Sequence, residues 1–168
     1  MPTFTDTKGH TWDIHVTAGT IRRVQRLLDV DLGDLASGTP PLLPRLEVDD
    51  GFLVDVLYCV LKPLADNLAV DDQAFAERLD GEALSLAHTA LMESLADFFR
   101  GRGRLYAVAA IDRQAATTSE AIRRAVDAIN SPQMDRTLQN RLDEIRPTPG
   151  KPVASALPSP ASDPSPTP

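Results

Sequence analysis

The chain has 168 residues and a net charge of −7, with 42% hydrophobic and 24% charged residues. This length fits one domain of ordinary size followed by a tail, and it is enough to bury a core without disulfides or metal ions. The acidic charge disfavours nucleic-acid binding, because it repels phosphate backbones. The single cysteine excludes a disulfide framework and favours a cytoplasmic location.

The N-terminal residues predict a small β-hairpin. The segment from Thr3 to Val16 contains Thr, Phe, Trp and Ile, which suit a half-buried strand, and Lys8-Gly9 predicts the turn. Trp12 and Ile14 alternate with polar residues, so they share one face of the second strand. A lone hairpin is marginal in water, so we expect this one to pack on helices or to pair with a partner's strand.

A helix with an apolar stripe follows the hairpin. Thr17 or Thr20 can cap its first turn, and the helical pattern continues to about Val30. Apolar residues recur at helical spacing along one side of it, at Ile21, Val24, Leu27 and Leu28. The next segment, Gly33 to Val48, is rich in glycine and proline and predicts a long loop.

The most apolar part of the chain predicts a central, buried helix. The doublet Asp49-Asp50 can cap this helix, which runs from Phe52 to about Leu61. Pro63 is expected to end or kink it. Cys59 lies within the helix, where burial makes a thiol unreactive, so we interpret it as a core residue rather than a nucleophile.

A short helix from Asp71-Asp72 to Leu79 precedes the strongest helical pattern of the chain, Glu82 to Phe99. The run from Arg100 to Arg104 ends that pattern, because its glycines disfavour a helix and its arginines suit a helix C-terminus. No aromatic platform or recognition helix accompanies these arginines. A loop that ends the helix therefore explains the run better than a nucleic-acid clamp.

The C-terminal part predicts further helices and a tail. Leu105 to Ala116 has a helical composition, and the capping box Thr117-x-x-Glu120 predicts a new helix from near Thr118. A last helix would follow Pro132, and these helices either pack on the head or associate with another chain. We therefore predict a mainly α domain over residues 1–146 with an N-terminal hairpin. A disordered tail, rich in proline, serine and alanine, should cover residues 147–168.

The residues do not predict an enzyme. The acidic doublets Asp49-Asp50 and Asp71-Asp72 precede apolar helices, so helix capping explains them better than a metal site. His88 replaces an apolar residue in a helical seam, which favours a hydrogen-bonded core or interface histidine. The sequence predicts no catalytic residue, no metal site and no cofactor. Its longest apolar run, Phe52 to Leu61, is too short to span a membrane.

Apolar helical surface points instead to a protein partner. The candidate partner-binding residues lie in the two most apolar helices, at Phe52, Leu91, Leu95, Phe98 and Phe99. A role in the core explains the same residues, and their spacing does not distinguish the two interpretations. A mostly helical head could expose a groove for a partner helix, and it could also form a homo-oligomer.

The order of the elements resembles the small tail assembly chaperones of tailed bacteriophages and prophages. The matching pieces cover about residues 3–104, and they are Phe4…Gly9…Trp12-Asp13-Ile14, Thr20 to Leu28, Val30-Asp31-Leu32, Phe52 to Leu61, Asp71-Asp72-x-x-Phe75, Leu79-Asp80-Gly81-x-x-Leu84 and Ala90-Leu91…Phe98-Phe99. The resemblance implies a non-enzymatic chaperone in virion assembly. It would bind a hydrophobic, helical tape measure protein and keep it soluble until the tail tube polymerises. The alternative is an adaptor or regulatory module that docks helices of a cellular protein.

Overall fold

The computed structural model of this protein describes residues 1–36, 38–130 and 141. Helices dominate this part of the chain, and a two-stranded antiparallel hairpin lies at its N-terminus. The predicted mainly α fold with a small hairpin is therefore confirmed. The chain divides into two units, Met1–Ile122 and Arg123–Pro168. The predicted last helix, the boundary at residue 146 and the predicted disordered tail lie outside the described residues.

The helices of the first unit are arranged around one central helix. The elements in chain order are β1 (Thr3–Thr5), β2 (Thr11–Asp13), α1 (Ala18–Leu28), α2 (Leu42–Val48), α3 (Asp50–Asn67), α4 (Asp72–Ala76), α5 (Gly81–Gly101) and α6 (Leu105–Ile129). Helices α1, α2, α4 and α5 all pack against α3, and the hairpin packs on α5. The largest fully buried side chains include Trp12, Phe75 and Phe99.

Side-chain caps begin the helices where the sequence predicts them. Thr17 caps α1 by accepting a hydrogen bond from the backbone N–H of Thr20. Asp49 caps α3 and Asp71 caps α4 in the same way, through the N–H groups of the residues three positions later. Asp50 and Asp72 lie in the first turns of these helices, where the helix dipole favours a negative charge. The capping interpretation of both acidic doublets is confirmed.

A buried carboxylate, which the sequence does not reveal, ties the hairpin to the helices. Asp6 accepts hydrogen bonds from the backbone N–H groups of Lys8 and His10 and from the indole Nε1 of Trp12, at 2.9, 2.9 and 3.0 Å. The guanidinium of Arg78, just beyond α4, lies 3.5 Å from the same carboxylate. Burial alone would raise the pKa of Asp6. The hydrogen bonds outweigh it and hold the pKa below its ordinary value, so Asp6 stays ionised.

Helix α3 continues through Pro63, so the prediction that the helix ends there is wrong. Proline has no N–H, so the carbonyl of Cys59, four residues earlier, has no donor within the helix. Arg23 of α1 supplies one. Its Nη1 lies 3.3 Å from the carbonyl oxygen of Cys59 and 3.2 Å from that of Val60. A donor from another helix thus replaces the missing intrahelical hydrogen bond, which no local pattern could show.

The predicted long loop from Gly33 to Val48 is wrong in its second half, because helix α2 occupies Leu42–Val48. Its apolar residues Leu42, Leu43 and Leu46 are buried. Pro44 lies in the first turn, where backbone N–H groups have no intrahelical partner, so it costs the helix no hydrogen bond. Burial of three leucines thus sets the conformation of a segment whose prolines suggest a loop.

The predicted break near Thr118 is also wrong, since α6 is one helix from Leu105 to Ile129. The hydroxyl of Thr117 donates a hydrogen bond to the carbonyl oxygen of Arg113, at 2.9 Å. A hydroxyl bonded to the carbonyl four residues earlier belongs to a helix interior and not to an N-cap. The capping-box pattern is therefore present in the sequence but unused.

Helix α1 confirms the predicted helix and corrects its apolar stripe. It ends at Leu28, before an Asp29 in the left-handed conformation with φ of 57°. Val24 is fully buried, and Ile21 is partly buried. Leu27 is 50% exposed, so it does not belong to the packed face.

The hydrogen bonds from Arg23 can be tested with a double-mutant cycle. We expect Arg23→Met to lower the free energy of unfolding by about 1–3 kcal/mol, because two carbonyls lose a donor. Pro63→Ala restores an N–H opposite the carbonyl of Cys59. In that background the same Arg23→Met change should cost about 1 kcal/mol less. Urea unfolding of the four proteins measures the coupling, and an equal cost of Arg23→Met in both backgrounds would contradict the proposed role of Arg23.

Candidate functional site

Most of the predicted partner-binding residues lie in the core. Leu91, Leu95 and Phe99 are fully buried, and Phe52 is 8% exposed. In this conformation these four side chains cannot contact a partner, because neighbouring helices already cover them. Phe98 is only partly buried, so of the five predicted residues it is the one with an accessible side chain. Of the five predicted residues, only Phe98 can therefore belong to a surface for a partner.

A groove between α5 and α6 provides an accessible apolar surface in the first unit. Met92 and Ala96 of α5 and Ile111 and Ala115 of α6 line it, and its volume is about 470 Å³. Ala96 and Ile111 are themselves buried, so Met92 and Ala115 are the apolar lining residues that a partner can reach. We call this feature the α5–α6 groove. Its apolar residues belong to the facing sides of two helices, which is the arrangement that accepts the apolar side of a third helix.

Within the first unit, only the first turns of α6 are buried. Ala107, Val108 and Ile111 are buried, whereas almost every described residue of α6 after Ile111 is exposed. Ile122 is 60% exposed. In the second unit, Val126 and Ile129 of the same helix are exposed as well. Helix α6 thus has more apolar side chains than the described contacts cover.

The rim of the groove is polar and charged. It is formed by His88, Thr89, Glu93, Asp97, Arg100 and Asp112. Arg100 and Asp97 form an ion pair on the surface of α5. Met92 on the floor has a flexible, polarisable side chain that adapts to differently shaped partners. An apolar floor inside a charged rim is the usual anatomy of a surface that binds another protein.

His88 connects the groove to α2. Its Nε2 lies 3.7 Å from the carboxylate of Glu47, and the side chain is partly buried. Burial lowers the pKa of His88 from its ordinary value, and the nearby carboxylate of Glu47 opposes this only in part. The neutral imidazole is therefore the favoured form in the folded protein. The predicted hydrogen bond is not found among the described residues, because 3.7 Å to the carboxylate of Glu47 is too long for one.

The other residues considered for chemistry are placed as follows. Cys59 is 5% exposed in α3, and burial, with a smaller contribution from Asp55, raises the pKa of its thiol. The interpretation of Cys59 as a core residue is thus confirmed. Among the residues that the structure describes, no group of three or more His, Cys, Asp or Glu is placed to hold a metal ion. No helix in residues 1–36 or 38–130 is long and apolar enough to cross a membrane.

Comparisons of this chain with protein-family models, with curated proteins and with solved structures gave no significant match.

The low pKa of His88 predicts a pH-dependent stability. The unfolded chain binds a proton at this residue at about pH 6.5, whereas the folded protein binds it only at lower pH. The free energy of unfolding should therefore fall as the pH is lowered from 7.5 to 5.5. We expect His88→Gln, which cannot bind a proton, to show a smaller fall. Urea unfolding at both pH values measures this, and an unchanged pH dependence in the variant would contradict the role of His88.

Proposed function

We propose that this protein is a non-enzymatic chaperone or accessory protein of phage-type tail assembly. It binds a hydrophobic, helical client of the tape-measure type in the cytoplasm. The observation that carries the proposal is the α5–α6 groove, an apolar surface lying beside the exposed residues of α6. The resemblance of about residues 3–104 to tail assembly chaperones supports the kind of client, and the groove supports the mode of binding.

The groove fits a helical client better than an extended one. Helices present apolar side chains at every third or fourth position, and a groove between two helices receives such a row. Its volume of about 470 Å³ can take the side chains of a few successive anchors. No exposed edge of a β-sheet is needed for this mode of binding.

The charge of the protein suits a chaperone that keeps an aggregation-prone client in solution. The net charge of −7 gives the body of the protein a strong self-repulsion at neutral pH. The charged rim limits the apolar area that stays in water when the groove is empty. Because Leu91, Leu95 and Phe99 remain in the core, client binding needs no unfolding of the first unit.

The proposal is tested by co-expression with the product of a long reading frame that we expect just downstream of this gene. We predict that the long protein becomes soluble only together with this chain and that the two co-elute in size-exclusion chromatography with light scattering. A long protein that is soluble alone, or that elutes separately, would overturn the proposal. An adaptor would instead bind a folded cellular protein at a fixed stoichiometry and would have no such neighbouring gene.

A pair of matched variants locates the binding surface in the same experiment. Ala115→Arg puts a long charged side chain into the groove, whereas Ala116→Arg puts it on the next exposed position of α6, outside the groove. We expect at least a tenfold loss of co-purified client for the first variant, corresponding to about 1.4 kcal/mol. The second should bind as the unchanged protein does. Equal binding by both variants would exclude the groove, and circular dichroism verifies that both remain folded.

A further inference from the structure

We propose that a second site, a cleft between α1, the loop after it and the start of α6, binds an acidic and partly apolar segment of a partner protein. The cleft has a volume of about 580 Å³ and shares no lining residue with the α5–α6 groove. It therefore lies outside the surface assigned to the helical client. We call it the arginine cleft, after Arg22, Arg102 and Arg104, which line it.

Two of these arginines are available to an anionic group. Arg22 and Arg102 are exposed, and within the described part of the chain neither has an ion-pair partner. The guanidinium of Arg104 is held by a hydrogen bond to the carbonyl oxygen of Gly33, at 3.4 Å. Arg23 and Arg26 of α1, with Arg22, line a shallow surface next to the cleft and extend its positive charge.

The acidic residues of the cleft do not cancel this charge in full. One carboxylate oxygen of Asp31 accepts a hydrogen bond from the N–H of Gly33 at 2.7 Å, and one of Asp34 accepts from Ala36 at 3.2 Å. These bonds hold both carboxylates in the turns of their own loop. Three arginines against two carboxylates leave the cleft positive, in a chain whose net charge is −7. A positive cleft on a negative protein attracts an acidic group to this place specifically.

The apolar lining determines the class of partner. Phe98, Ile21 and Leu35 line the cleft. Tyr106 also lines it, and 74% of the surface of this residue is exposed. Arginine forms planar, bidentate hydrogen bonds with carboxylates, and the neighbouring apolar side chains provide a place for Leu or Phe next to the acid. A nucleic acid would instead need a long basic surface, which the acidic body of this protein opposes. An acidic peptide segment with apolar residues therefore fits the cleft best.

The cleft also assigns a role to the run from Arg100 to Arg104. The sequence explains this run as a loop that ends a helix, and the structure agrees: α5 ends at Gly101, and Gly103 has a φ of 69°. Ending the helix does not require arginines at positions 102 and 104. Their side chains lie together with Arg22 only because the fold places the end of α5 beside α1.

The test uses the full chain, labelled with ¹⁵N, and the capped octapeptide Ac-GLEEFLEG-NH₂. We expect amide shifts at residues of the arginine cleft and an affinity at least about tenfold higher than that of the glutamine counterpart Ac-GLQQFLQG-NH₂, since charge-assisted bonds are about twice as strong as neutral ones. The double variant Arg22→Glu, Arg102→Glu should bind the acidic peptide at least about tenfold more weakly. Raising the salt concentration should weaken binding to the unchanged protein.

Matched variants distinguish binding in the arginine cleft from a general effect of charge on the whole protein. Arg113→Glu makes the same single charge reversal as Arg22→Glu alone, but on an exposed position of α6 outside the cleft, and it should leave binding within about twofold, because its charge is remote and screened. Ala115→Arg changes the α5–α6 groove and not the arginine cleft, so this variant should bind the peptide normally. The peptide test can therefore fail or succeed independently of the test of client binding. Arg22→Gln with Arg102→Gln replaces the charge-reversed pair if that variant does not fold.

Three results would overturn the proposal. The first is the absence of cleft shifts at millimolar acidic peptide, and the second is equal binding of the glutamine peptide. The third is tighter binding of a twelve-nucleotide oligothymidine at the same residues, which would identify the cleft as a nucleic-acid site.

Discussion

The arrangement of the first unit depends on the hydrogen bonds that Arg23 donates to the carbonyls of Cys59 and Val60. They allow α3 to continue past Pro63, so that Ala65 reaches the core. Helices α1, α2, α4 and α5 all pack on α3. Its other buried residues, from Phe52 to Leu61, precede the proline. This polar contact joins α1 to the central helix at the place where the proline removes an intrahelical hydrogen bond.

The assignment of apolar residues to the core determines where a partner can bind. The buried apolar residues of α5 belong to the core, and α5 packs against α3 and the hairpin. Asp6 joins the hairpin to the helices by contacting both Trp12 of the hairpin and Arg78. The side of α5 that carries Met92 and Ala96 faces α6, which packs only through its first turns. The accessible surface is therefore the groove between the two helices, and not the buried face of α5 that carries Leu91, Leu95 and Phe99.

Local sequence patterns predicted the elements whose conformation is set locally. The alternation around Trp12 predicted the hairpin, and the acidic doublets predicted the starts of α3 and α4. The predictions failed where a distant group decides the outcome, as Arg23 does at Pro63, or where a hydroxyl has an alternative acceptor, as Thr117 has. The same limit explains why most of the predicted partner-binding residues lie in the core. Periodicity identified the apolar face of α5, but it does not show which residues another helix covers.

We propose that the client binds in the α5–α6 groove and on the part of α6 that belongs to the first unit. The most direct measurement is hydrogen–deuterium exchange of the full chain, alone and in complex with the product of the long neighbouring reading frame. We expect slower exchange in α6 from Ile111 to Ile122 when the client is bound, with the hairpin unchanged. Unchanged exchange in α6 within a stable complex, with protection elsewhere, would contradict the claim.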